Sequence, residues 1–100
     1  MFEVEGVSYT LRFNKQKLKT VEMTTKMSVV GEMVKNGGVL SMQLLESLFT
    51  FGLVKEKGLV AVPQSEAAEI YDKVIETNGF MSVTNAVITK LQEDMGFMFR

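Results

Sequence analysis

Residues 41–53 read SMQLLESLFTFGL. Ser41 can accept a hydrogen bond from a free N–H of a first helical turn, so a helix opens here. Leu44, Leu45, Leu48 and Phe49 recur at helical spacing, and Gly52-Leu53 carry the apolar run on. The polar face is thin. A helix that is apolar on most sides is covered by neighbours on most sides, so this segment is expected at the centre of the fold. Lys55 and Lys57 are expected in its last turn, where cations suit the helix dipole, with Gly58 stopping it.

Toward the C-terminus, Leu59 to Val62 reads as an extended apolar piece, and Pro63 biases Val62 away from helix. Ser65 then opens an amphipathic helix. Ala67, Ile70, Tyr71, Val74 and Ile75 share one face, and Glu66, Glu69, Asp72, Lys73 and Glu76 share the other. Glu69 and Lys73 stand as an i, i+4 pair in the favourable order. Asn78-Gly79 closes that helix. Ser82 opens the last one, with Val83, Ala86, Val87, Leu91 and Met95 inward, and Gly96 ends it.

Toward the N-terminus, Ser28 opens a helix with a Val29, Val30, Met33, Val34 stripe, which Asn36-Gly37-Gly38 ends. Asn14 can cap a short helix over Lys15 to Thr25 that turns Leu18 and Val21 inward. Its Thr and Val residues weaken helix propensity. Residues 2–13 read as a β-hairpin. Phe2 and Val4, then Val7, Tyr9, Leu11 and Phe13, alternate with polar residues. A two-residue turn at Glu5-Gly6 sets Val4 opposite Val7 and Phe2 opposite Tyr9, all on one face.

The order predicts an α+β fold, mainly α: an N-terminal β-hairpin and then a bundle of four to five short helices. One hundred residues make a single domain, here 1–13 hairpin, 14–96 helical bundle and 97–100 apolar tail. The opening segment lacks a basic region followed by an apolar run, so no secretory signal is expected. No run of about 18 apolar residues occurs, so no membrane span is expected.

The chain holds eight methionines and seven phenylalanines but no histidine, cysteine or tryptophan. That composition removes the usual proton shuttle, the commonest metal ligand and the thiol nucleophile. The paired carboxylates Asp72/Glu76 and Glu93/Asp94 sit on polar helix faces, where they read as solvating charges. No phosphate-loop pattern occurs. The lysines at 15, 17 and 19 lack interleaved aromatics and form no RNA platform. A protein without enzymatic activity and without a cofactor is expected. Methionine, unbranched and polarizable, instead suits surfaces that adapt to a partner. Phe51, which falls off the 44/45/48/49 stripe, together with Met81, Met95, Phe97, Met98 and Phe99, makes up the candidate partner-binding set. The tail at 97–99 either packs on its own hairpin or contacts another protein.

The net charge is −1, which argues against general nucleic-acid binding. Its distribution is uneven. Residues 12–35 hold six basic side chains against two acids, and residues 66–94 hold six acids against two lysines. These flanks either neutralise each other within one molecule or meet across two copies. The second case makes Lys15, Lys17 and Lys19 on one side, and Glu69, Asp72 and Glu76 on the other, candidates for self-association.

The opening FEVEGVSYTLRFN followed by basic residues, the segment NGGVLSMQLLESLFTFGL at 36–53, ETNGF at 76–80, and a last helix running into an aromatic terminus together resemble tail assembly chaperones of long-tailed bacteriophages and prophages. The likeness covers nearly the whole chain, through hydrophobic patterns and glycine turns. It implies a small, mainly helical protein made in the cytoplasm of the bacterial host and absent from the mature virion. It implies binding to the tape-measure protein and the major tail-tube protein during tail assembly, and a homo-oligomer, open or spiral. The short form of a chain also made longer by frameshifting is implied as well. The alternative is a small phage or bacterial helix-turn-helix regulator that binds DNA. That reading rests on the short helices around Gly37-Gly38 and the basic 12–35 stretch. Against it, the 42–54 helix offers only Gln43 for base contacts.

Overall fold

The computed structural model describes residues 2–35 and 39–99. The chain runs β1 (Phe2–Val4), β2 (Val7–Leu11), α1 (Lys15–Thr25), α2 (Val29–Lys35), α3 (Met42–Gly52), β3 (Leu53–Lys55), α4 (Gln64–Asn78) and α5 (Phe80–Met95), with 3-10 turns at Lys57–Leu59 and Gly96–Phe99. This is the α+β, mainly helical architecture the sequence predicts, with a third strand added.

β1 and β2 pair antiparallel with Phe2 opposite Tyr9 and Val4 opposite Val7, the expected register. Glu5 (φ 51°) and Gly6 (φ 82°) both take positive φ, as a two-residue type I′ hairpin turn requires. Glycine reaches that geometry freely, whereas glutamate does so at a cost. That face is not covered along its whole length: Val7, at the turn, is exposed, while Tyr9, Leu11 and Phe13 are buried.

The helix from Ser41 stops at Gly52, and the chain turns directly into β3 rather than continuing to Lys57. β3 pairs with β2, Leu53 opposite Leu11 and Lys55 opposite Tyr9, giving the sheet order β1-β2-β3. Two contacts account for the break. The Gly52 carbonyl accepts the Arg12 N–H at 2.9 Å, and a Cβ on Gly52 would stand 2.6 Å from the Phe13 ring. Only glycine lets the aromatic lie so close. Lys55 therefore belongs to a strand, and Lys57 opens the 3-10 turn. Leu59 sits in that turn with φ 51°, and Ala61 bridges back to Val54.

α3 lies between α1 and α4 and packs against both. Leu44, Leu45, Leu48 and Phe49 are buried, as a central helix demands. Phe49 joins an aromatic group, with ring centroids 5.7 Å from Phe2 and 5.4 Å from Tyr71; Phe2 lies 6.1 Å from Tyr9. Burying such rings is the largest apolar gain in a domain this small. α5 closes the remaining side with Val83, Thr84, Val87, Leu91 and Met95.

The expected cap at Asn14 is present, its Oδ1 accepting the Lys17 N–H at 2.8 Å. Ser41 likewise caps α3 through Leu44 N–H at 3.1 Å. Ser65 and Ser82 do not cap: α4 starts at Gln64 directly after Pro63, and α5 at Phe80 directly after Gly79. Proline at the start of a helix loses no hydrogen bond, and Gly79 takes φ 87° between two helices. Ala86, expected inward, is exposed. Lys73 bonds Glu5 of the hairpin turn, so the expected Glu69–Lys73 pair is replaced by a contact across the fold. The expected Asn36-Gly37-Gly38 cap lies outside the described residues. No helix among the described residues is long and apolar enough to cross a membrane.

Candidate protein-binding surface

α1 and α3 are antiparallel neighbours. Phe13 meets Gly52 at one end, and the Met27 sulfur accepts the Ser41 hydroxyl at 3.7 Å at the other. α2 sits at that second end. Its first N–H, on Val29, is held by Glu22 Oε2 at 2.8 Å, and Ser28 Oγ accepts the Gly31 N–H at 3.0 Å. Val29 is the buried residue of α2, and the rest of this seven-residue helix turns outward or packs partly.

The three most exposed large apolar side chains of the described residues belong to these three helices: Val34 (78 %) to α2, Met23 (73 %) to α1 and Met42 (73 %) to α3. Val39, which precedes α3, is exposed, and Met27 and Met33 pack partly against the core. Lys19 in the middle of α1, Lys26 at its C-cap and Lys35 at the end of α2 are exposed too. These helices together expose three large apolar side chains, two of them methionines, and three lysines.

This surface differs from the set the sequence singles out. Met95 is 3 % exposed and packs with Val83, Val87 and Leu91, so it belongs to the core and not to a partner surface. Phe51 is half-buried and packs on the core. Met81, Phe97 and Met98 are exposed as expected. The Phe99 side chain lies outside the described residues. The tail does not extend the hairpin: it forms a 3-10 turn after α5, and the Lys15 ammonium lies 5.8 Å from the Phe97 ring centroid, within cation–π range. Phe97 and Met98 therefore stand at the opposite end of α1 from Met23.

Of the charged candidates, Lys15 and Lys19 are exposed on α1, and Glu69, Asp72 and Glu76 on α4. Lys17 is not free for a partner. Its Nζ donates to the Arg12 carbonyl at 2.9 Å, and burial lowers its ammonium below the usual lysine value, the Asp94 carboxylate opposing that shift.

A concave strip also runs beside Phe2. Phe2, Leu11, Phe49, Val74, Val83 and Val87 line its apolar part, of about 200 Å³. The polar groups at its rim, Asn78 and Ser82, carry no charge, and the strip brings together no acid–base pair. The exposed residues of α3 are Met42, Gln43 and Glu46. No family model matches the chain, no curated protein matches it, and no solved structure matches it.

Proposed function

We propose that this protein is a non-enzymatic tail assembly chaperone of a long-tailed phage or prophage, holding the tape-measure protein and tail-tube subunits during tail assembly in the host cytoplasm. The observation that carries the reading is the exposure of Met23, Val34 and Met42, one on each of the three consecutive helices α1, α2 and α3. Methionine side chains repack against varied apolar shapes, which suits a client with a long helical apolar stripe. Exposed apolar patches with polar rims mark interaction sites. The exposed Lys19, Lys26 and Lys35 of the same segment add attraction for acidic residues flanking such a stripe.

The helix-turn-helix alternative draws less support. Its recognition helix would be α3, which exposes Met42, Gln43 and Glu46 and keeps its other residues buried or half-buried. A carboxylate at that face repels phosphate.

Co-expression with the product of a neighbouring tape-measure gene tests the proposal. The soluble yield of that long helical protein should rise with the wild-type chain, and the rise should disappear with Met23→Lys/Met42→Lys. An equal yield with both forms contradicts the assignment of the surface. No change in yield with the wild-type chain contradicts the function.

A further inference from the structure

We infer that the seam between the end of β2 and α5 receives an extended segment of a partner protein, which pairs with Leu11 as an added strand and buries one large apolar side chain beside Phe2. The register of the sheet carries this. The Glu56 N–H donates to the Ser8 carbonyl and the Arg12 N–H to the Gly52 carbonyl, so the even-numbered residues of β2 turn their backbone groups toward β3. The odd-numbered residues turn theirs toward β1, where Val7 and Tyr9 meet Val4 and Phe2 as the bonded pairs of a two-residue hairpin. β1 begins at Phe2, and the place opposite Leu11 lies two positions before it. The next odd residue, Phe13, gives its N–H to Asp94 Oδ2 at 2.8 Å. Between these, the Leu11 N–H and C=O have no partner among the described residues, although Leu11 is only 3 % exposed.

Buried backbone donors and acceptors are almost always paired. These two face a hollow. It opens between Thr10 and Leu11 on the sheet and Asn85, Ala86 and Thr89 on α5. It adjoins the apolar strip of about 200 Å³, since Phe2, Leu11 and Ala86 line both.

The chemistry of the seam selects its occupant. An extended residue opposite Leu11 exchanges two hydrogen bonds with it. The side chain of that residue falls on the face that Leu11 and Phe2 share, and so enters the apolar strip. A cavity of about 150 Å³ holds a benzene ring, so a side chain up to phenylalanine size fits. A helix uses its backbone groups internally and cannot answer Leu11. A free apolar molecule leaves both groups unpaired. Lys90 and Glu93 at the mouth pair with each other at 3.2 Å, so the entering segment is uncharged there. This contact goes beyond the proposed client surface and does not depend on it, because none of Met23, Val34 and Met42 lines the seam.

Amide hydrogen exchange followed by NMR tests it, with the capped pentapeptide acetyl-STFTS-amide as probe. In the free protein Leu11 should exchange at least about tenfold faster than Tyr9 of the same strand, and saturating peptide should slow it by at least about tenfold. The peptide should shift the Val83 and Val87 methyl signals and leave those of Met23 and Met42 in place. Binding should weaken at least about tenfold when the peptide's phenylalanine is replaced by alanine or is N-methylated. Ala86→Phe, which closes the mouth from an exposed position, should weaken it as much. A Leu11 amide as slow as that of Tyr9 in the free protein overturns the inference. Equal binding of the alanine or N-methylated peptide overturns it too. Leu11 protection that grows with protein concentration alone assigns the seam to a second copy and overturns it. So does toluene filling the strip where the peptide does not bind. If Ala86→Phe does not fold, the peptide series decides. Failure of the pentapeptide leaves the proposed function standing, since the tape-measure protein takes no part in this test.

Discussion

The Phe13 N–H donates to Asp94 Oδ2 at 2.8 Å, a bond between residues 81 positions apart. It ties the end of the sheet to the last turn of α5. Asp94 is a side chain only 15 % exposed, with Arg12 Nη1 at 4.0 Å and Lys90 Nζ at 3.9 Å from its other oxygen. The same junction holds Phe13 over Gly52 and so sets where α3 gives way to β3.

Asp94→Ala leaves a part-buried backbone donor unpaired. It should cost about 1–3 kcal/mol of stability, read from urea unfolding. Asp94→Asn keeps an acceptor oxygen for Phe13 and loses only the attraction to Arg12, Lys90 and Lys17, so it should cost less than half as much. Equal losses for the two variants would mean that the charge, not the hydrogen bond, holds the junction.

Gly52→Ala drives a Cβ into the Phe13 ring, at 2.6 Å from the nearest ring carbon. Overpacking of this kind costs about 1–3 kcal/mol. The double variant Gly52→Ala/Phe13→Leu removes the clash, and its loss should be smaller than the sum of the two single losses. Additive losses would contradict the close contact as the reason for glycine.

Burial raises the Tyr71 phenol above its ordinary 10.0, with Glu46 and Asp72 adding to the rise. The folded state then keeps a proton that the unfolded chain gives up. Stability from this group is complete below pH 10 and is lost as pH climbs through the folded value. Lys73, raised by its bond to Glu5, acts in the same direction, and Lys17, lowered by burial, acts against it. Melting temperatures from pH 8 to 11 should fall less steeply for Tyr71→Phe than for the wild type. Parallel curves would rule out the phenol as a source of the alkaline loss.

Met23→Lys/Met42→Lys replaces two exposed side chains and should change folding stability by no more than about 0.5 kcal/mol. Met95→Lys forces a charge into the core and should cost several kcal/mol. Thermal unfolding separates the two cases. Similar losses at Met42 and Met95 would contradict the division between surface and core.

The sequence shows the hairpin plainly, because a period of two over Phe2 to Phe13 and one buried face leave a single register. The central helix is also legible, since Leu44, Leu45, Leu48 and Phe49 admit no other covering. β3 is hidden because Gly52, Leu53 and Val54 extend an apolar run that a helix could equally use. What ends the helix there is the Phe13 ring, a contact between distant residues. The starts of α4 and α5 shift by one or two positions because Pro63 and Gly79 set them, and the serines that follow do not. Of the residues the sequence singles out, Met81, Phe97 and Met98 are readable as exposed. Met95 could have been placed in the core from its spacing with Val83, Val87 and Leu91. Met23 could have been placed outside from Leu18 and Val21. That Met23 and Met42 fall toward the same end of the α1–α3 pair is not readable, because it depends on those two helices running antiparallel.

The claim that this end of the molecule holds a client is tested most directly by methyl NMR on the methionines. A tape-measure segment titrated into the labelled chain should shift the Met23 and Met42 methyl signals and leave that of core Met95 in place. Unmoved Met23 and Met42 signals, with binding seen elsewhere or not at all, would contradict the account.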